Sequence, residues 1–174
     1  MKRPCQDNST SSKMRKLHQP LLDKVKNFPS NPKYIFIDTE TTGKPPFDEK
    51  IAEPIQLGLL FCDGHFHEIG EFSMYILSKE ESSDKALYIH GIKRSELKKR
   101  LYEQYNGKCE DDELFRIQII IMKEIVEYLL SSDAYICSHN LDFDWFMLTH
   151  GCQRQSMQTQ GVTHGHRKWS MQRK

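Results

Sequence analysis

The stretch YIFIDTETTG, residues 34–43, runs four apolar or aromatic residues straight into Asp38, Thr39 and Glu40 and then turns at Thr41-Thr42-Gly43. An uninterrupted apolar run of this kind is the pattern of a central β-strand buried on both faces. Side chains alternate along a strand, so Asp38 and Glu40, two residues apart, point the same way from its end. Two readings of the pair are open. Either the acids face water where the strand runs out, or they converge on one solvent-open point, where like charges raise each other's proton affinity unless a cation lies between them. Oxygen-rich sites of the second kind favour Mg²⁺ or Mn²⁺.

Two further strands follow. PIQLGLLF alternates Ile55, Leu57, Leu59 and Phe61 in period two, and EFSMYIL does the same with Phe72, Met74 and Ile76. Ser95 is a candidate N-cap for ELKKRLYEQY, where Leu97, Leu101 and Tyr105 fall at helical spacing. From 112 to 130, Leu114, Ile117, Ile121, Ile125 and Leu129 form one apolar stripe and predict an amphipathic helix. AYICSHN reads as a short fourth strand, and FDWFMLTH as the start of another helix. The order β-β-β-α-α-β-α predicts an α/β domain with a mixed sheet, over residues 33–150.

Composition separates this body from its ends. The formal net charge is +1, yet residues 34–144 carry 12 basic against 22 acidic side chains, between segments 1–33 (8 basic, 2 acidic) and 145–174 (5 basic, none acidic). A body of net −10 is a poor footprint for gripping nucleic acid by charge alone, and suits a site that collects divalent cations. Residues 1–32 mix Ser, Asn, Pro and basic side chains and read as a disordered basic arm; residues 151–174, with five Gln and no acid, read as a disordered tail. Lys2-Arg3 and Lys13-Met14-Arg15-Lys16 have the form of a slightly short bipartite nuclear signal. No stretch approaches the roughly 18 apolar residues of a membrane span, and no apolar secretory leader opens the chain. The expectation is an intracellular protein, nuclear or cytoplasmic, with no membrane partner. Five cysteines, odd in number and widely spaced, form no C-x-x-C pair and argue against a zinc cluster or a disulfide framework.

SHNLDFDWF sets Asp144 at the start of a helix just after the fourth strand, where a carboxylate can point back toward the end of the first. D-x-E-T-T-G after an apolar strand, I-H-G-I at Ile89–Ile92, and H-N-x-x-F-D at His139–Asp144 together resemble the DEDD-type 3′-to-5′ exonuclease family. The order and spacing are those of its His subclass, which includes the proofreading epsilon subunit of bacterial DNA polymerase III. The resemblance implies a ribonuclease H-like fold and hydrolysis of DNA or RNA from a single-stranded 3′ end with two divalent ions, Mg²⁺ or Mn²⁺. It implies that Asp38, Glu40 and Asp144 are the catalytic metal ligands. It also implies that Thr41, Thr42 and Gly43 cradle the terminal nucleotide, with His90 and Asn140 in matching loops. Asp142 has no family counterpart and reads as a surface acid.

The family's third motif, a histidine followed five residues later by a last aspartate, has no match here. No Asp or Glu follows Asp144, and His164 and His166 have Trp169 and Met171 where the acid should stand. The domain is therefore expected to be C-terminally incomplete, through truncation or an alternative end, with His164 or His166 folding back as base being the other possibility. Activity is expected to be low or lost. The alternatives to an exonuclease are a catalytically inactive module that binds nucleic acid or a partner, and a chain that cannot fold stably because an unfinished sheet exposes an edge.

Overall fold

The computed structural model describes residues 19–43, 52–105, 107 and 110–156. A helical stretch over 19–26, α1, precedes β1 (Tyr34–Thr41), β2 (Pro54–Cys62) and β3 (Glu68–Tyr75). Three helices follow, α2 (Asp84–His90), α3 (Arg94–Gln104) and α4 (Asp111–Ser131), then β4 (Tyr135–Cys137) and α5 (Leu141–Ser156). The sheet order is β3-β2-β1-β4. Consecutive strands β1, β2 and β3 pair antiparallel, whereas β4 pairs parallel with β1 over Tyr34–Phe36. A parallel pair requires a crossover, and α2 to α4 supply it. The sheet is thus mixed, as the sequence predicts, and the architecture is that of a ribonuclease H-like exonuclease fold.

Period two decides which side of the sheet is dry. Ile35 and Ile37 on β1, Ile55, Leu57, Leu59 and Phe61 on β2, and Phe72 and Met74 on β3 are all buried, and they share one core with the predicted α4 stripe. Each such side chain, fully buried, contributes about 1.5–3 kcal/mol. The expectation of a first strand buried on both faces needs correcting. Tyr34 and Phe36 are only half-buried and Asp38 is exposed, because the core joins the helices to the opposite face. Exposed aromatic side chains follow: Phe66, at a positive φ of 63° in the β2–β3 turn, stacks on Tyr34, which in turn stacks on Tyr135.

The N-terminal arm also ends earlier than expected. Leu21, Leu22 and Val25 of α1 are buried in the core. Phe28 lies 4.8 Å from the Phe61 ring and 5.1 Å from both Phe72 and Tyr128, and the Tyr128 hydroxyl donates to the Pro29 carbonyl at 2.6 Å. Averaging composition over 33 residues hides this segment, whereas Leu21, Leu22, Val25 and Phe28 stand at i, i+1, i+4 and i+7, the spacing of a helix face running into its exit. Phe28→Ala is expected to cost about 2–3 kcal/mol, at the low end for a core aromatic because the ring is only half-buried. Thermal unfolding should fall by roughly 5–10 °C; an unchanged midpoint would mean that the segment does not hold the fold.

Smaller departures have local causes. α3 begins at Arg94 with Lys93 as N-cap, so Ser95 lies inside the helix. α2 was not expected, since none of its seven residues is buried and it carries no amphipathic signal. Helix α5 continues to Ser156, past the predicted domain end at 150. The basic clusters before residue 17, and His164 and His166, lie outside the described residues. No helix among the described residues is long and apolar enough to cross a membrane.

Candidate functional site

The turn that ends β1 is fixed by its own hydrogen bonds. The β1–β2 ladder shifts register between Glu40 and Thr41, an irregularity of the kind that re-aims side chains at a strand end. Beyond it, Thr42 N–H donates to the Glu53 carbonyl at 2.9 Å, and Glu53 N–H returns the bond to Thr42 Oγ1 at 2.9 Å. Ser83 N–H donates to the Thr42 carbonyl at 2.7 Å, and the Thr41 hydroxyl donates to the Gly43 carbonyl at 2.7 Å. Thr42 is buried, and its backbone and hydroxyl oxygen help to hold the turn. Among the described residues, a β-carbon at Gly43 would meet Ser83 Oγ at an ordinary 3.7 Å.

Three carboxylates approach one another at this end of the sheet. Burial, then the charge of Asp38, then that of Asp144, push the Glu40 carboxyl above the usual carboxylate range. Asp144, in the first turn of α5, is only 4% exposed. Its Oδ1 accepts from Thr39 N–H at 3.2 Å and from the Thr39 hydroxyl at 2.5 Å, and its Oδ2 accepts from the Ser138 hydroxyl. Thr39 stands between the two acids of the first motif, 105 residues away in sequence. Thr39 and Ser138 are hydrogen-bonded neighbours of Asp144 that no sequence signal singles out.

The donor set is all oxygen and carries excess negative charge, which fits a hard divalent cation. Asp38 and Glu40, with Asp144 beside them, are the residues that could hold one. Among the described residues, however, no three His, Cys, Asp or Glu side chains are gathered closely enough to hold a metal ion.

Beside Glu40 opens a cavity of about 280 Å³ lined by Thr41, Gly43, His90, Lys85, Ile89 and Phe143, among others. Of the five predicted substrate residues it therefore brings together Thr41, Gly43 and His90. Thr42 and Asn140 are not in its lining; Asn140 is exposed, and its carbonyl accepts from Asp144 N–H at 3.0 Å in the first turn of α5. Lys85 stands on α2, which leaves no apolar period in the sequence, whereas Phe143 sits within the H-N-x-x-F-D stretch. His90 Nδ1 accepts from Ile92 N–H at 2.9 Å, so the neutral ring carries its proton on Nε2 and offers a donor. Nε2 is buried, and among the described residues its one neighbouring acceptor is the Thr41 backbone, which lies outside ordinary hydrogen-bond geometry. Burial lowers the ring's affinity for a second proton, against a smaller opposing pull from the Thr41 backbone.

Helix α2 carries both Lys85 and His90 and is closed at each end. Ser83 Oγ accepts from Ala86 N–H at 3.2 Å, and Gly91, at φ 69°, donates its N–H to the Leu87 carbonyl at 2.8 Å. Among the described residues nothing stands within 4 Å of a β-carbon at Gly91, so Gly91→Ala is expected to meet the left-handed backbone penalty of about 1–2 kcal/mol. The expected result is a thermal midpoint lower by about 3–6 °C; no change would mean the helix end does not matter to stability.

A family model described as exonuclease, of the RNase T type, matches residues 35–141, from the first strand to the first residue of α5. No curated protein matches the chain.

Proposed function

Since the chain belongs to the exonuclease family, whose substrate is nucleic acid, we propose that it removes nucleotides from a single-stranded 3′ end as a member of the His subclass. The meeting of Asp144 with Thr39, between Asp38 and Glu40, carries this reading, because it joins the two acidic motifs at one strand end. Asp38, Glu40 and Asp144 would hold Mg²⁺ or Mn²⁺, two ions in the family. Such ions supply an activated water, stabilise the departing 3′ oxygen and neutralise phosphate charge. The cavity beside Glu40 supports a terminal nucleotide site: Phe143 and Ile89 offer apolar surface, Lys85 a cation and His90 Nε2–H a donor. Thr42 then acts by fixing the turn.

The test is cleavage of a 5′-labelled single-stranded oligonucleotide in Mn²⁺. The expected product is a ladder shortening one nucleotide at a time from the 3′ end and abolished by chelation. A folded sample that yields no ladder in Mn²⁺ or Mg²⁺ overturns the proposal. A second reading, binding without cleavage, is favoured by one observation: both oxygens of Asp144 are engaged by Thr39 and Ser138, and no three-ligand cluster is gathered among the described residues. It predicts salt-sensitive retention of the uncut oligonucleotide.

A further inference from the structure

We infer that the hydroxyls of Thr39 and Ser138 form a clamp that withholds Asp144 from the metal site, and that releasing them assembles the three-carboxylate centre. The inference rests on the metal-dependent reading above. Alternation along β1 puts Thr39 on the face of Ile35 and Ile37, which is buried, and puts Asp38 and Glu40 on the opposite face. The Asp144 carboxylate accepts from the Thr39 hydroxyl at 2.5 Å and from its backbone N–H at 3.2 Å, so it is tied to the buried face and edge of the strand while its charge still reaches Glu40.

The clamp also uses up acceptor capacity. An ionised carboxylate offers about four lone-pair positions. Thr39 N–H and Oγ1 take two on Oδ1, and Ser138 Oγ takes one on Oδ2. About one position remains for a cation. Hydrogen bonds to a charged acceptor are roughly twice as strong as neutral ones, so a metal must compete with them for Asp144. Ser138 is itself set by its surroundings, since its hydroxyl oxygen also accepts from Asn140 N–H at 3.1 Å. The clamp therefore spans the loop between β4 and α5.

Thr39→Val removes one hydroxyl while keeping the branched shape, on a face where an apolar side chain is at home, and leaves the backbone N–H bond in place. Ser138→Ala removes the other. The experiment is titration of the full chain and both variants with Mn²⁺, read by the loss of free-ion paramagnetic resonance signal, alongside thermal unfolding of each metal-free protein. Each variant is expected to bind Mn²⁺ more tightly by on the order of tenfold, the worth of one hydrogen bond to a charged group. Thr39→Ser, which restores a hydroxyl, should return affinity to that of the parent. Parent-like or weaker binding by a folded Thr39→Val or Ser138→Ala protein, while the parent itself binds, overturns the clamp and leaves the metal reading standing. Absence of Mn²⁺ binding in all the proteins overturns both. Binding by the variants alone would support the clamp in its strongest form.

Discussion

Asp38→Ala is expected to lower Mn²⁺-dependent cleavage by roughly 10²–10³-fold, since a metal ligand contributes to transition-state charge stabilisation worth several kcal/mol. The same change should leave the thermal midpoint of the metal-free protein unchanged or slightly raised. Asp38 is exposed, so no packing is lost, and its charge is one of the two that push the Glu40 carboxyl upward. The sign follows from that direction. A glutamate that holds its proton more tightly when folded favours folding while protonated. This contribution is present below the ordinary glutamate range and is lost as pH rises through the raised folded value. Removing Asp38 relieves part of that loss, as bound cation would. Cleavage or Mn²⁺ affinity equal to the parent's would show that Asp38 holds no metal.

Asp144 should separate into two roles when replaced in two ways. Asp144→Ala leaves Thr39 N–H, its hydroxyl and the Ser138 hydroxyl without their shared acceptor in a site that is 4% exposed. Losing buried hydrogen bonds to a charged group is expected to cost about 2–4 kcal/mol, or roughly 5–15 °C in thermal midpoint. Asp144→Asn keeps an oxygen for Thr39, and its amide can donate to a reoriented Ser138 hydroxyl, so stability should fall by under about 1 kcal/mol. Both variants should lose Mn²⁺-dependent cleavage, because neither carries the charge. The pair is informative only through the contrast: equal stability losses would place the fold's dependence on the charge itself, and an active Asp144→Asn would remove the residue from the metal site.

What the sequence makes legible follows the range of the physics involved. Alternation along residues 55–61 and the stripe from Leu114 to Leu129 are repeated local patterns, and both become core faces where expected. α2 has no such pattern, being a solvent-facing helix written only in its ends, Ser83 and Gly91. α1 carries its signal in four residues and is diluted by polar neighbours. At the candidate site, the places of Asp38 and Glu40 at a strand end and of Asp144 in the first turn of a helix are legible, because strand ends and helix starts can be located from local pattern. Thr39 and Ser138 are not, since a threonine between two acids and a serine before a histidine acquire their roles only through contact across the sheet. Thr42 shows the converse: its place in the motif suggests contact with substrate, and contact across the turn adds hydrogen bonds with Glu53 and Ser83 that local pattern does not announce.

The parallel pairing of β4 with β1 stops at Phe36, three residues before Thr39. Past that point the strand's outward amide at Thr39 has a side-chain acceptor, Asp144, in place of a neighbouring strand. Its proton therefore exchanges with solvent at a rate set by how often one carboxylate lets go. Isotope exchange at this single amide reports the balance between closed and open arrangements, in the resting protein and without nucleic acid or turnover.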